Sequence, residues 1–182
     1  MADNSKFGKI LFTQEQINNR AKEIAEQINK DYEGEEVILL MTLKGSILWI
    51  GDLMKHLTVD TKLDFISASS YGASKTSSGV VKIKFDPEIN MYNANVIVVE
   101  DIVDTGNTLK YVLGKLQERG PKSVKICTML NKEARRTTDL HADYVGFEID
   151  DLFVIGYGLD FDQKYRELPF ISYLEEGDVE AL

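Results

Sequence analysis

The sequence predicts an α/β domain built on a mainly parallel, doubly wound sheet flanked by helices. Two stretches support this fold class, Val37–Leu57 and Val96–Leu116. In each of them a buried apolar run is followed by a short polar loop and then by apolar residues at helical spacing. Strand, loop and helix repeated in this order are typical of parallel sheets with helical crossovers.

Length and composition fit one globular domain. The chain has 182 residues, of which 43% are hydrophobic and 28% charged, so it can bury a full core. Because no repeat or linker divides the chain, we expect a single domain over residues 1–182. The acidic segment 175–182 has little apolar material and is expected to fray in solvent.

Charge and cysteine usage exclude several classes of function. A net charge of −9 argues against a non-specific nucleic-acid binder, which needs a basic face. The single cysteine, Cys127, excludes an internal disulfide and a cysteine-ligated zinc site. Residues Met1–Lys6 lack the apolar core of a secretory signal, and no apolar run is long enough to span a membrane. We therefore expect a cytoplasmic protein without a membrane partner.

The first helix and strand are predicted from local patterns. Thr13 and Gln16 have the spacing of a capping box, and the apolar stripe after them predicts a helix that ends near Lys30. The first buried strand is expected over Val37–Met41, and a second helix is expected over Ile47–Leu57.

The remaining strands are predicted from short apolar runs. The polar segment over residues 69–79 is either a plain surface hairpin or a lid beside an active site. Gly120 and Pro121 end the helix of the second strand–loop–helix unit. The predicted strands cover Leu63–Ala68, Val81–Phe85, Ser123–Leu130, Tyr144–Ile149 and Phe153–Tyr157.

The most informative stretch follows the apolar run Val96–Val99. Glu100 and Asp101 come at the carboxyl end of that strand, where open α/β sheets bind ligands. Asp104 and the residues Thr105-Gly106-Asn107-Thr108 then lead into a helix, whose N-terminal N–H groups suit a phosphate. Carboxylates next to a phosphate suit sugar hydroxyls or a hard cation such as Mg²⁺. The stretch therefore predicts a site for a phosphorylated sugar and magnesium.

The plain alternative is an ordinary strand-to-helix turn with acidic N-cap residues. Glu100 and Asp101 form what we term the acidic pair, and Thr105–Thr108 form the phosphate loop. The uninterrupted order of apolar strand, acidic pair and phosphate loop favours the ligand site. In this order the stretch closely resembles the phosphoribosyl-diphosphate signature of the type I phosphoribosyltransferases, and the resemblance extends from about Phe7 to Leu174. It implies the fold of that family, with a small hood and a flexible loop at the active site.

Within the family, the chain resembles the short bacterial members of the hypoxanthine-guanine branch. Leu43-Lys44-Gly45-Ser46 matches the loop that binds pyrophosphate, in which the peptide bond between the first two residues can be cis. Arg166 matches an arginine that reaches the pyrophosphate. Ser70 and Tyr71 match a pair on the flexible loop, or lid, that closes over the reaction centre. The resemblance thus implies pyrophosphate binding by Leu43, Lys44, Gly45 and Arg166.

The resemblance also implies how the base and the metal are held. Lys132 matches the lysine that donates to the 6-oxo group of a purine, Phe153 the aromatic residue that stacks on the base, and Val154 a residue whose backbone contacts its edge. Without the resemblance, Lys132 would be interpreted as a surface lysine and the other two residues as core. Asp160 matches the carboxylate that holds a second Mg²⁺ through water, and Glu100 and Asp101 would bind the first.

The implied activity is transfer of the 5-phosphoribosyl group from phosphoribosyl diphosphate to N9 of hypoxanthine or guanine, in purine salvage. Asp104 would act as general base or hydrogen-bond acceptor at N7. Some family members have lysine where this chain has Asn107, which affects the expected affinity for phosphate. A homo-oligomer, dimer or tetramer, is implied by the resemblance alone. The residues that would bind the phosphoribosyl part are Glu100, Asp101, Asp104, Thr105, Gly106, Asn107 and Thr108.

Other classes of protein share parts of this pattern. A regulator could bind phosphoribosyl diphosphate as a signal, but it would need a basic face or an added DNA-binding domain. A phospho-receiver domain has acidic residues at strand ends but would not explain Leu43–Ser46 or Lys132. Dinucleotide and nucleoside-triphosphate folds are disfavoured because their glycine-rich motifs are absent. Adenine or pyrimidine transferases are the nearest alternatives, and Lys132 and Phe153 argue against them.

Overall fold

The chain folds into a six-stranded sheet with helices on both faces, and a three-stranded sheet accompanies it. The computed structural model describes residues 9–70 and 81–174, except for the side chains of Ser69 and Ser70. Tyr71 of the predicted lid and the segment 175–182 lie outside the described residues. The elements are β1 (Lys9–Phe12), α1 (Gln14–Asp31), β2 (Glu36–Thr42), α2 (Ile47–Met54), β3 (Asp60–Ser70), β4 (Val81–Phe85), β5 (Asn95–Val103), α3 (Asn107–Gln117), β6 (Ser123–Asn131), a 3-10 turn (Glu133–Arg135), β7 (Tyr144–Glu148), β8 (Phe153–Ile155) and β9 (Ile171–Leu174).

The large sheet has the strand order β4-β3-β2-β5-β6-β7. All its neighbouring strands pair in parallel except β3 and β4, so β4 is an antiparallel edge strand. The chain moves from β2 outward to β3 on one side and from β5 outward to β6 and β7 on the other. The direction of winding therefore reverses between β2 and β5, and the predicted mainly parallel, doubly wound α/β sheet is confirmed.

Alternation along the central strands divides the apolar residues between two cores. On β2, Leu39 packs with α1 and α2, whereas Leu40 packs with α3. On β5, Ile97 and Val98 are divided in the same way, as expected for strands covered on both faces. Cys127 lies in the core beneath α1 and α2, where burial raises the pKa of its thiol to about 12. A buried thiol with so high a pKa is inert at neutral pH.

The capping box predicted at the start of α1 is present. The Thr13 hydroxyl accepts a hydrogen bond from the Gln16 N–H at 3.3 Å, and the Gln16 side chain accepts one from the Thr13 N–H at 2.9 Å. Two donors that the helix leaves unpaired are thereby satisfied. The helix ends at Asp31, one residue beyond the predicted end. The apolar stripe that it buries consists of Ile17, Ala21, Ile24, Ala25 and Ile28.

Helix α2 and strand β8 are shorter than predicted, whereas β3 extends beyond the predicted Leu63–Ala68 at both ends. Helix α2 ends at Met54, and Leu57 packs against the core from a non-helical segment after the turn. Strand β8 ends at Ile155, because Gly156 and Tyr157 have φ angles of +92° and +52°, which an extended strand does not allow.

The small sheet has the order β1-β9-β8, and its strands are antiparallel. The sequence patterns did not predict β1 or β9, which have four residues each. Lys9 at one end of the chain pairs with Tyr173 near the other end, so the pairing has no local signature. The hood implied by the resemblance corresponds to this sheet. Within the described ranges, the helices are too short or too polar to cross a membrane.

Candidate active site

A cleft of about 210 Å³ lies at the carboxyl ends of β2 and β5, where the winding of the sheet reverses. Ile66 and Ala68 of β3 form its apolar wall. The loop after β2, the end of β5 and the start of α3 form the rest. Ten of the predicted site residues line this cleft, namely Leu43, Lys44, Gly45, Glu100, Asp101, Asp104, Thr105, Gly106, Asn107 and Thr108.

The acidic pair lies within strand β5 and not after it, because the strand continues to Val103. The Thr42 hydroxyl of the neighbouring strand donates a hydrogen bond to Oε2 of Glu100 at 2.7 Å. The backbone N–H of Ile102 donates to Oδ1 of Asp101 at 2.8 Å. These bonds hold both carboxyl groups in fixed positions at the wall of the cleft.

The surroundings of the two carboxyl groups disfavour their charged forms. Burial, together with the adjacent Asp101 carboxylate, raises the pKa of Glu100 to about 8, and the hydrogen bond from Thr42 opposes this rise. Burial also raises the pKa of Asp101, while the hydrogen bond from Ile102 and the charge of Arg166 oppose it. A pair of desolvated carboxyl groups in this state is stabilised by a cation or by hydroxyl donors.

The acidic pair fits a magnesium ion whose other ligands are water and the phosphate groups of a bound molecule. Among residues 9–70 and 81–174, no three His, Cys, Asp or Glu side chains are close enough together to enclose a metal ion. Mg²⁺ commonly takes one or two carboxylates and completes its shell with water and substrate phosphates, so Glu100 and Asp101 suffice. The carboxylate of Asp160 lies 2.7 Å from the Arg166 guanidinium and accepts a hydrogen bond from the Gln163 N–H at 2.9 Å.

The N-cap of α3 is Gly106, and no side chain caps this helix. Gly106 has a φ of +81°, which favours glycine, and a Cβ at this position would lie 2.3 Å from Oγ1 of Thr138. The plain alternative of a turn with an acidic N-cap is therefore wrong. The N–H of Asn107 meets the Thr105 hydroxyl at a long 3.5 Å, and the N-cap itself offers no side-chain oxygen, so the start of α3 suits an anion.

The loop at Gly45 meets the segments around Gly158 and Arg166 beside the acidic pair. A Cβ on Gly45 would lie 1.5 Å from Oδ2 of Asp101, and one on Gly158 would lie 1.9 Å from the carbonyl oxygen of Gly45. Arg166 donates to the Gly158 carbonyl at 2.6 Å and so belongs to the same layer. The peptide bond Leu43–Lys44 at the start of the first loop is cis. Glycine at these positions lets the predicted pyrophosphate loop lie directly against the acidic pair.

None of the predicted base-binding residues lines the cleft, and Lys132 is joined to it through the lining residue Val103. Lys132 donates its backbone N–H to the carbonyl of Val103 at 2.9 Å, and its side chain is only 7% exposed. The interpretation of Lys132 as a surface lysine is therefore wrong. Phe153 is 46% exposed whereas Val154 is buried, so the core interpretation holds only for Val154.

A chain of opposite charges joins Asp104 to Lys132. Oδ2 of Asp104 lies 3.7 Å from the Arg135 guanidinium, which lies 3.8 Å from Asp151. Asp151 in turn lies 3.5 Å from Nζ of Lys132. Oδ1 of Asp104 is buried without a hydrogen-bond partner among the described residues, so it can accept a bond from a ligand. Sequence reasoning missed Arg135 and Asp151, although both lie in loops that follow parallel strands at the edge where the site is expected.

Comparison with known proteins agrees with this arrangement. The family model for the phosphoribosyl transferase domain matches residues 9–162. The chain therefore belongs to the phosphoribosyltransferase family.

Its relatives define the branch more closely. It is 43% identical over 168 residues to the hypoxanthine-guanine phosphoribosyltransferase of Streptococcus thermophilus, covering 92% of this chain and 93% of that protein. The crystal structure of a hypoxanthine-guanine phosphoribosyltransferase from Bacillus anthracis matches with a TM-score of 0.88 and 46% identity, covering 92% of this chain and 98% of that one. The structure of a hypoxanthine phosphoribosyltransferase from Staphylococcus aureus matches with a TM-score of 0.88 and 41% identity, covering 92% of this chain and 91% of that one. Within the family, the chain groups with the hypoxanthine-guanine phosphoribosyltransferases, as predicted.

The raised pKa of Glu100 predicts how stability depends on pH in the ligand-free protein. Between about 4.5 and about 8, the folded state retains a proton that the unfolded chain releases, so the free energy of unfolding should fall as the pH rises. Glu100→Gln keeps an acceptor for Thr42 but has no proton to lose, so it should flatten this decline. Melting temperatures measured across the interval test this. Glu118→Gln, at a largely exposed side chain, is the control and should keep the wild-type slope. An equally steep slope in Glu100→Gln would contradict the assignment.

Proposed function

We propose that this protein transfers the 5-phosphoribosyl group from phosphoribosyl diphosphate to N9 of hypoxanthine or guanine, giving IMP or GMP and pyrophosphate. One observation carries the proposal: a carboxylate pair lies between the uncapped start of α3 and the loop at Gly45, which is backed by Arg166. Two anion-binding elements on either side of sugar-binding carboxylates match a ribose that has a phosphate at one end and a diphosphate at the other. The names of the relatives support a purine as acceptor.

The phosphoribosyl part would lie along the cleft. The N–H groups at the start of α3 and the hydroxyls of Thr105 and Thr108 would bind the 5′-phosphate. Glu100 and Asp101 would accept hydrogen bonds from the ribose hydroxyls and hold a first Mg²⁺, with Asp160 reaching a second through water. Bound magnesium would supply positive charge to the diphosphate.

The leaving pyrophosphate would lie on the loop Leu43–Gly45. Backbone N–H groups of this loop and the planar fork of Arg166 would stabilise the charge that grows on the leaving oxygen. As the C1 bond breaks, positive charge builds on the ribose ring, as in an oxocarbenium ion. Glu100 and Asp101 line the cleft and would stabilise that charge.

The purine would lie beside Asp104 and Lys132. The Lys132 ammonium has three donors and no acceptor, so it favours a 6-oxo group over the 6-amino group of adenine. Phe153 would stack on the base, and the backbone of Val154 would contact its edge. Oδ1 of Asp104 has no partner among the described residues, so it would accept the proton or hydrogen bond at N7.

Composition supports the remaining parts of the proposal. A net charge of −9 leaves no strong attraction for nucleic acid, and this chemistry needs neither nucleic acid nor a membrane. A single buried thiol without a disulfide is typical of proteins from reducing compartments, so we place the protein in the cytoplasm.

An exposed apolar surface supports a homo-oligomer. Leu63 and Phe65 of β3 are opposite Leu39 and Met41 of β2, so they lie on the sheet face that α1 and α2 cover. Both are nevertheless more than two-fifths exposed, and the ring of Phe65 contacts Phe85 edge to face at 6.1 Å. Large apolar patches on soluble proteins commonly mark interfaces. We propose that a second copy covers this surface; exposed residues of α2 on the same sheet face are Ile47, Leu48 and Met54.

Turnover of phosphoribosyl diphosphate tests the activity. With Mg²⁺ present we expect products from hypoxanthine or guanine and none from adenine. Asp104→Asn keeps the shape of the side chain but removes its proton acceptor, so kcat should fall by about a hundredfold. The matched control is Asp86→Asn, because Asp86 pairs with Arg119 at the surface. Binding of phosphoribosyl diphosphate without turnover of any base would overturn the transferase proposal and favour a sensor.

Lys132→Met tests base recognition separately. The apolar side chain fills similar space but donates no hydrogen bond, so kcat/KM for hypoxanthine should fall by roughly ten- to a hundredfold. KM for phosphoribosyl diphosphate should stay near the wild-type value. Lys22→Met, at an exposed position of α1, is the control for loss of a positive charge. An unchanged kcat/KM for hypoxanthine in Lys132→Met would refute this role.

Phe65→Glu tests the proposed interface. A charge at the centre of the apolar surface should convert a dimer or tetramer into monomers, as measured by sedimentation velocity. Tyr111→Glu, at a similarly exposed aromatic position on α3, should leave the mass unchanged. A monomeric wild-type protein, or a Phe65→Glu variant with the wild-type mass, would contradict the proposal.

A further inference from the structure

Three consecutive residues behind the phosphate loop form a cluster of donors, which we term the rear clamp. The rear clamp consists of Arg136, Thr137 and Thr138 and follows the 3-10 turn after β6. Its donors bind carbonyl groups of the segment Val103–Thr105. This segment joins the end of β5 to the N-cap of α3, so its orientation determines how the phosphate loop faces the cleft.

Arg136 reaches four acceptors with its three guanidinium nitrogens. Nε donates to the carbonyl of Asp104 at 2.9 Å, and Nη2 donates to the Asn131 side chain at 2.5 Å and to the carbonyl of Val103 at 3.3 Å. Nη1 donates to the carbonyl of Leu140. All four acceptors are uncharged oxygens, so the positive charge of Arg136 is not neutralised by them and lies directly behind the phosphate loop.

The two threonines of the rear clamp converge on the next carbonyl. The carbonyl oxygen of Thr105 faces the Thr137 N–H at 3.1 Å, the Thr137 hydroxyl at 3.2 Å and the Thr138 hydroxyl at 3.3 Å. Thr138 also lies against Gly106, where a Cβ would overlap its hydroxyl. The rear clamp therefore packs directly on the N-cap of α3.

These bonds determine where the N–H groups of the loop point. A planar trans peptide unit directs its N–H away from its carbonyl. Because the carbonyls of Asp104 and Thr105 face the rear clamp, the N–H groups of Thr105 and Gly106 point to the opposite side. Both residues line the cleft, so these two donors are available to an anion there.

We propose that the rear clamp positions the phosphate loop, and that Arg136 is the main positioning residue for the 5′-phosphate of the substrate. The inference rests on the proposed function and adds residues to which the sequence assigned no role. Arg136 acts through the loop: it holds two carbonyls away from the ligand and contributes its charge from behind. A lysine would keep the charge but, with a single nitrogen, could not reach the four acceptors that the planar fork reaches.

Arg136→Lys is the test, and Arg20→Lys is its matched control. Arg20 is also half-buried and donates to two backbone carbonyls, of Gly146 at 2.9 Å and Val145 at 2.8 Å, but these belong to β7 and not to the phosphate loop. Arg20 also pairs with Glu23 at 2.5 Å, so each of the two substitutions removes several bonds of a planar fork. Titration calorimetry with ribose 5-phosphate measures binding to the loop without turnover, and steady-state kinetics gives the two KM values.

We expect Arg136→Lys to weaken ribose 5-phosphate binding and to raise KM for phosphoribosyl diphosphate by about tenfold, with KM for hypoxanthine within about twofold of wild type. Arg20→Lys should change neither affinity. Equal effects in the two variants, or no effect in Arg136→Lys, would overturn the positioning role and leave a purely structural one.

A second variant keeps the test decisive if Arg136→Lys fails to fold. Thr138→Val removes one donor to the Thr105 carbonyl with little change of shape, and it should weaken ribose 5-phosphate binding by about threefold. Unchanged binding in a folded Thr138→Val protein would count against the proposal. If the wild-type protein bound ribose 5-phosphate but used no purine, the proposed function would fail, while the comparison of affinities would still decide the role of the rear clamp.

Discussion

Parallel pairing of β5 on both sides is the constraint on which the rest of the structure depends. Its hydrogen bonds to β2 and β6 align the carboxyl ends of all three strands, so the loops that follow them start from one edge. The same strand alternates its side chains between the two cores as far as Val99 and then presents Glu100 and Asp101 to the cleft. The helix that follows begins at this edge, and its first residues line the same cleft as the carboxylates.

The site combines groups that oppose each other when no ligand is bound. Burial raises the pKa values of Glu100 and Asp101, and the charge of Asp101 adds to the rise at Glu100; sugar hydroxyls or a cation in the cleft would relieve both shifts. Positive charge flanks this pair at Arg166, which acts on Asp101 and pairs with Asp160, and at Arg136 behind the phosphate loop. Separate regions of positive and negative charge suit a substrate whose sugar lies between two anionic groups. The protein stabilises this arrangement through neutral hydrogen bonds, chiefly to backbone carbonyls.

How much of the structure could be predicted from the sequence depended on how far apart along the chain the interacting residues lie. The capping box at Thr13, the buried strands and the part of the cleft between Glu100 and Thr108 depend on neighbours in sequence, and local patterns predicted them, whereas Leu43–Gly45 was assigned by resemblance. Strands β1 and β9 depend on pairing between the two ends of the chain, which no local pattern shows. In the same way, Asp151 and Arg136 act on Lys132 and Asp104 only because the loops after β6 and β7 fold back onto the strand edge. The burial of Lys132 and the exposure of Phe153 are likewise products of tertiary packing.

The contact between Gly106 and Thr138 also limits how this sequence can evolve. Every single-base change of a glycine codon that alters the amino acid introduces a side chain with a β-carbon or a stop. At position 106 that carbon meets both an unfavourable φ and the Thr138 hydroxyl, so no single-base change that replaces this glycine is neutral. The adjacent Asn107 is exposed, but its side-chain oxygen accepts a hydrogen bond from the Thr137 hydroxyl at 3.3 Å. Within one short loop, therefore, one position excludes every side chain, while its neighbour favours those that keep an acceptor for Thr137.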